Sequence, residues 1–257
     1  MIALSAGGSL AEIVPERGAL CSRLRLAGSE ILFLDPATLA DPGKNVRGGV
    51  PVLFPIAGKA PEGSALKQHG FARNLPWEAV RTGEGQLECR LRTPARDDFV
   101  WPTEAQITFT LSERALRLDA LVHNPGDSAL PFQLGFHPYF FVPDKAAARV
   151  ETTATRAFDN RTGQEGPLPA LDFTRGELDL HLLDHAESGT ILHRAPEPAI
   201  RLRWSPDFHV MVLWTLPGKD FVCVEPWTAK AGALATGQGL VLLPPGETRA
   251  YSFEISL

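Results

Sequence analysis

Glu225 lies in the run Phe221-Val222-Cys223-Val224-Glu225-Pro226-Trp227-Thr228, a carboxylate closing an apolar, strand-forming stretch that Pro226 stops. A carboxyl group in such surroundings is either paired or at work, because burial raises its pKa towards the range in which it exchanges protons near neutrality. Proton chemistry needs a partner. The segment Gln133-Leu134-Gly135-Phe136-His137-Pro138-Tyr139-Phe140-Phe141 supplies an imidazole among three Phe and one Tyr. Imidazole has the ordinary pKa nearest pH 7; apolar surroundings lower it and a neighbouring carboxylate raises it again. Together, His137 and Glu225 would give one site an acid and a base from strands far apart in sequence. Each also has a structural reading: a core histidine bonded to a backbone carbonyl, and a buried carboxylate held by an arginine such as Arg47 or Arg73.

Two further segments concentrate residues that are costly to bury. In Val46-Arg47-Gly48-Gly49-Val50-Pro51-Val52-Leu53-Phe54-Pro55, paired glycines allow a sharp turn or a close backbone approach to a ligand, with Arg47 at the mouth. In His69-Gly70-Phe71-Ala72-Arg73, followed by Trp77, a hydrogen-bonding ring, a planar cationic fork and an aromatic surface fall within nine residues. That set suits a sugar, whose flat C–H faces and many hydroxyls call for aromatic surface and fixed donors. The plainer readings are an ordinary Gly-Gly turn with a solvated Arg47, and a structural His69 beside a salt-bridged Arg73. His181 and His185 have the i, i+4 spacing of a helical metal pair, but no Glu follows His181 and no third ligand is near, so a solvated rim helix or strand is expected there. Cys21, Cys89 and Cys223 are odd in number and set among strand-forming residues, as reduced core thiols are.

The elements that must position these groups read as strands. Apolar residues fall at every second place in 87–92, 106–111, 116–122, 200–204 and 251–255. Breaks such as Asn124-Pro125-Gly126-Asp127 and Pro244-Pro245-Gly246-Glu247 leave no room for the helices of βαβ units. The expected class is all-β: one domain over 1–257 built as a large antiparallel sandwich, with 143–176 as loops and short strands on its rim. A net charge of −5 with scattered Lys and Arg offers no field for nucleic acid. The apolar runs fall short of the roughly 20 residues of a membrane span. The N-terminus lacks the pattern of a secretory signal, so a cytoplasmic protein is expected.

The four segments, in this order, resemble the aldose 1-epimerase (galactose mutarotase-like) family: Arg-Gly-Gly-Val-Pro-Val-Leu-Phe-Pro, His-Gly-Phe-Ala-Arg with a following Trp, Gly-Phe-His-Pro-Tyr-Phe and Cys-Val-Glu-Pro-Trp. Arg17-Gly18-Ala19-Leu20-Cys21-Ser22-Arg23-Leu24 is similar to the family's early Gly-Ala strand pair. The resemblance implies a β-supersandwich that interconverts the α and β anomers of an aldose with no metal or organic cofactor. It makes Glu225 the general base and His137 the general acid, His69 a substrate-orienting histidine and Arg73 a substrate-binding arginine. Asp184 matches an aspartate that binds sugar hydroxyls, although the aromatic expected after it is missing. Arg47, in its Arg-Gly-Gly-x-Pro setting, resembles the hexose-6-phosphate branch, in which arginines hold a phosphate, whereas Cys-Val-Glu-Pro-Trp is closer to branches acting on free sugars. Free aldose and sugar phosphate therefore both remain open as substrate, as do monomer and homodimer. The alternative class is a non-catalytic sugar-binding module on the same sandwich. A cupin-like metalloenzyme would need clustered histidines such as His-x-His, which the sequence lacks.

Overall fold

The computed structural model describes the backbone of residues 1–257 and every side chain except those of Arg81 and Thr82. It is built on two eight-stranded antiparallel sheets. The first, which carries the site, runs in the order Gln164–Pro167, Arg156–Asp159, Leu178–Leu182, Val210–Thr215, Phe221–Trp227, Gly135–Phe136 and Val52–Leu53, with Tyr139–Phe141 also paired to Phe221–Trp227. The second runs Ala148–Val150, Gly189–Arg194, Glu197–Trp204, Thr248–Ser256, Ala115–His123, Thr103–Leu111, Gln86–Thr93 and Glu78–Gly83. A four-stranded sheet, Ile2–Ala6, Ser9–Val14, Leu20–Leu26 and Ser29–Glu30, joins them.

Alternation sets which face of each strand is buried. In Thr103–Leu111 and Ala115–His123 every second residue is buried, and Ile107, Phe109, Leu116 and Leu118 point into the core. Phe253 on the neighbouring strand stacks on Phe136 of the site sheet, with ring centroids 5.5 Å apart, so the two sheets pack face to face there. Burying a Phe side chain stabilises by about 1.5–3 kcal/mol. The fully buried Phe109, Phe132, Phe136, Phe140 and Phe253 are therefore the main anchors of this interface.

Arg194 is fully buried and bonds only to backbone, donating to the carbonyls of Pro198, Glu30 and Phe141. It ties the four-stranded sheet and the site sheet to the second sheet.

The strands expected from alternation all form, at 86–93, 103–111, 115–123, 197–204 and 248–256. The rim segment holds the short strands Ala148–Val150, Arg156–Asp159 and Gln164–Pro167. All three cysteines are buried and free. The solvated rim expected at His181 is not found: His181 has no exposed surface and lies on the strand Leu178–Leu182, with Phe158 and Trp227 edge-on to its ring at 5.6 and 5.0 Å. His185 follows that strand instead of sharing a helix with His181. Among the described residues no helix is long and apolar enough to cross a membrane.

Candidate active site

The strand Phe221–Trp227 is buried along its whole length because both its faces are covered. Val222 and Val224 belong to the sandwich core, while Phe221, Cys223, Glu225 and Trp227 alternate onto the opposite face. Register extends that face sideways. Val212 pairs with Glu225 and Trp214 with Cys223; on the next strand Asp179 pairs with Trp214 and His181 with Val212. Tyr139 comes in from the other side opposite Cys223, and Gly135 opposite Trp227. One face of one sheet thus collects Asp179, His181, Trp214, Tyr139, Glu225 and Trp227.

The loops close this face into a cleft. The backbone N–H of His137 donates to Pro51 and that of Tyr139 to Gly49, which docks the Arg47–Leu53 segment beside the histidine. The His69 turn is held by a reciprocal pair of bonds: His69 N–H donates to the Gly58 carbonyl at 2.8 Å, and Gly58 N–H donates to His69 Nδ1 at 2.9 Å. His69 and Gly70 both take left-handed backbone conformations, φ 66° and 69°. Gly70 tolerates no side chain, since a Cβ there would lie 2.3 Å from the Phe54 carbonyl oxygen. A non-glycine residue held at positive φ costs about 1–3 kcal/mol, which the surrounding bonds offset.

The resulting cleft, about 270 Å³, is lined by Asn45, Val46, Arg47, Gly58, Gln68, His69, Arg73, His137, Tyr139, Asn160, Glu177, Asp179, Val212, Trp214, Glu225 and Trp227. Five of the six site residues expected from sequence meet here: His137, Glu225, His69, Arg73 and Arg47. Asp184 does not. Its exposed carboxylate accepts from the backbone N–H groups of Thr155 and Arg156 and from the Thr155 hydroxyl, closing a surface turn away from the cleft. Trp77 is likewise no sugar platform, for it is buried and donates Nε1–H to the Ala72 carbonyl.

His137 Nδ1 lies 3.3 Å from Glu225 Oε1, but the angle makes no hydrogen bond. Trp227 Nε1–H donates to the other oxygen, Oε2, at 3.0 Å. Glu225 is therefore oriented by an indole, and among the described residues no arginine bonds it. The His137 ring stacks on Tyr139 at 4.7 Å and meets Trp214 and His69 edge-on at 5.6 Å. Burial is the largest cause of every displaced proton affinity here. It pushes Glu225 up, helped by the Asp179 charge and opposed by Trp227 and Arg73. It pushes His137 down, helped by Arg73. His69 is also held well below its ordinary value, by burial and then by Arg73. Since its Nδ1 accepts from Gly58, the neutral His69 keeps its proton on Nε2.

Arg73 donates Nη2–H to the Gln68 carbonyl at 2.9 Å, and among the described residues neither Arg73 nor Arg47 meets a carboxylate. Their charge is left to the cleft. Asp179, bonded by Asn160 Nδ2–H at 2.8 Å, and Trp214, which donates to Glu177, complete a polar rim that sequence reasoning missed. The available signal was the alternation Leu178-Asp179-Leu180-His181-Leu182, which puts both polar residues on one face. A larger open hollow of about 520 Å³ also contains a His and a Glu, His185 and Glu187. Both nitrogens of that His185 are engaged, with Thr152 Oγ1 and the Gly189 carbonyl, unlike the unbonded Nδ1 of His137.

For a metal, His137, Cys223 and Glu225 are the only described cluster, each offering one donor atom within 4.8 Å of the others.

Comparison with known proteins gives the chain a family and its fold known relatives. The sequence model for aldose 1-epimerase matches residues 1–256. Over 92% of its length the chain is 30% identical to a Cenchrus ciliaris protein named "Putative glucose-6-phosphate 1-epimerase", covering 78% of that protein. A protein of the same name from Salmonella typhimurium LT2 is 32% identical over 80% of the chain and 76% of its own length. Among solved structures, the Slr1438 protein of Synechocystis sp. PCC 6803 superposes with a TM-score of 0.92 at 32% identity, over 99% of this chain and 94% of that one. A galactose mutarotase-like protein from Lactobacillus casei shares the fold, with a TM-score of 0.81 at 20% identity over 100% and 99% of the two chains. On its sequence and its fold, the chain belongs to the aldose 1-epimerase family of isomerases.

Proposed function

We propose that this protein interconverts the α and β anomers of an aldohexose 6-phosphate, with Glu225 and His137 exchanging the protons that open and reclose the ring. The observation that carries the reading is the buried pair, Nδ1 to Oε1 at 3.3 Å, at the wall of a cleft that also holds two guanidiniums without carboxylate partners. Glu225 takes the proton of the anomeric hydroxyl and His137 gives one to the ring oxygen. Rotation about C1–C2 and reclosure on the other face then reverse both transfers. Burial favours a neutral carboxyl beside a neutral imidazole. That is the proton distribution left once the ring has opened; opening itself starts from the carboxylate and the imidazolium, and on the Glu225 side the Trp227 bond and the Arg73 charge favour the ionised form. His69 Nε2–H supplies a fixed donor to a sugar oxygen. Arg47 and Arg73 suit a phosphate dianion, and the glucose-6-phosphate names of the relatives support the same substrate class.

Saturation-transfer NMR on glucose, galactose and their 6-phosphates tests this directly. Glu225→Gln is expected to lose about 10²- to 10⁴-fold in exchange rate; undiminished exchange would remove the base. Arg47→Met should raise KM for the phosphate ester about 10- to 100-fold, the worth of one charge-assisted bond, and leave KM for the free sugar almost unchanged, whereas Arg73→Met, whose charge also acts on Glu225 and His137, should change turnover of both sugars. An equal effect of Arg47→Met on both sugars would rule out the phosphate assignment.

A further inference from the structure

Beside the acid/base pair lies a third donor that anomer exchange does not use. Cys223 stands two residues before Glu225 on the same strand, so both side chains leave one face of the sheet. Its Sγ, an imidazole nitrogen of His137 and a carboxylate oxygen of Glu225 all lie within 4.8 Å of one another. His137 Nδ1 is buried without any hydrogen-bond partner, and the His137 and Glu225 side chains are only 8% and 1% exposed. Trp227 holds Oε2 of the carboxylate and leaves Oε1 facing Nδ1. An orphaned nitrogen, a free carboxylate oxygen and a thiol thus converge on one point, with a bonded partner already fixing one of the three.

We propose that His137, Cys223 and Glu225 form a binding site for a thiophilic divalent cation, zinc being the best match, whose occupancy blocks the acid/base pair. Zinc takes imidazole nitrogen and carboxylate oxygen at about 2.0–2.2 Å and thiolate at about 2.3 Å, which sets tetrahedral donors about 3.3–3.6 Å apart. The edge from Nδ1 to Oε1, at 3.3 Å, already has that length. From its limit of 4.8 Å, Sγ needs to close by no more than about 1.5 Å, within reach of a χ1 adjustment. The mixed nitrogen, sulfur and oxygen set favours zinc over magnesium or calcium, which want oxygen alone. Binding breaks the S–H bond and forms a Zn–S bond; that proton, and any on the carboxyl, passes to solvent. Three protein ligands leave a fourth position for water, and two of the three, His137 and Glu225, line the cleft. The site stands on geometry alone, while its inhibitory effect rests on the acid/base roles proposed above.

Cobalt titration of the intact protein, with zinc as competitor, tests the site without any turnover. One equivalent of Co²⁺ is expected to give a sulfur-to-cobalt charge-transfer band in the near ultraviolet. Zinc should abolish the band, and Cys223→Ser and His137→Asn should both lose it. In the NMR exchange assay, zinc should inhibit the parent protein and EDTA should restore it. Cys223→Ser, whose side chain is not part of the cleft lining, should keep exchange and need at least about 100-fold more zinc for the same inhibition. Stoichiometric cobalt without a thiolate band, no cobalt bound, or equal zinc inhibition of the parent and Cys223→Ser would each overturn the site. A thiolate band in a protein that exchanges no sugar would leave the site standing and defeat the mutarotase reading. Exchange indifferent to bound zinc would defeat the inhibitory role.

Discussion

At the scale of single residues, Trp227 determines how Glu225 holds its proton. Its indole sits edge-on between His69 at 5.6 Å and His181 at 5.0 Å, and gives its only N–H to Oε2. A donor to a carboxylate favours the charged form, so Trp227→Phe should raise Glu225 further above the carboxylate range. The base acts deprotonated, hence the acid limb of the pH profile of kcat/KM should move to higher pH. The rate near neutrality should fall about 10- to 100-fold, the worth of a hydrogen bond to a charged group. An acid limb that stays in place would show that the indole only walls the cleft. These residues were legible because a carboxylate in Phe221-Val222-Cys223-Val224-Glu225 and an imidazole among aromatics are costly anomalies in apolar runs. Asp184 misled for the opposite reason: an acidic residue in a polar turn is cheap, and here it serves the turn by accepting from Thr155 and Arg156. The aspartate that does line the cleft, Asp179, lies five residues earlier on a strand whose polar face the apolar neighbours disguise.

Among the elements, the strands of the second sheet were the easiest to read, since one face packs on the core and the other meets water, and alternation reports that directly. The site strands gave a weaker signal. Phe221–Trp227 is buried on both faces and carries no alternation, while Gly135–Phe136 and Val52–Leu53, paired in series beyond it at the end of the sheet, are two residues each and too short for any pattern. The antiparallel pairing of Gly135 with Trp227 makes its own prediction. A Cβ on Gly135 would lie 2.8 Å from Trp227 Cδ1. Gly135→Ala must therefore push the indole off Glu225, costing about 1–3 kcal/mol as overpacking and lowering anomer exchange with it. Gly166→Ala, on the edge strand Gln164–Pro167 with nothing within 4 Å of a new Cβ, is the control and should change neither. Urea midpoints and exchange rates on the two variants check this, and an active, fully stable Gly135→Ala would mean the pairing yields.

For the whole molecule, the sandwich concentrates neutral imidazoles in one place, and this ties stability to pH. His69, His137 and His181 are all buried and all held below the ordinary histidine value, His181 down to about 3 by burial and by Lys230. Both His181 ring nitrogens lack hydrogen-bond partners, and Asp179 Oδ1 stands 3.8 Å away, too far to bond. Such a group stays neutral in the native state and takes up a proton in the unfolded chain below about pH 6.5, so the unfolded state binds more protons there. Its contribution is complete above about pH 6.5 and is lost as pH falls, at up to about 1.4 kcal/mol per pH unit for each imidazole. Glu225 and Asp179, both raised by burial, act with the opposite sign, because the native state protonates them first. Comparing the parent with His181→Phe cancels those carboxylates and isolates one imidazole. Between pH 7 and pH 5 the variant should lose about 2 kcal/mol less unfolding free energy than the parent. Urea unfolding at the two pH values measures it, and an equal loss in both proteins would show that His181 titrates alike in the folded and unfolded chain.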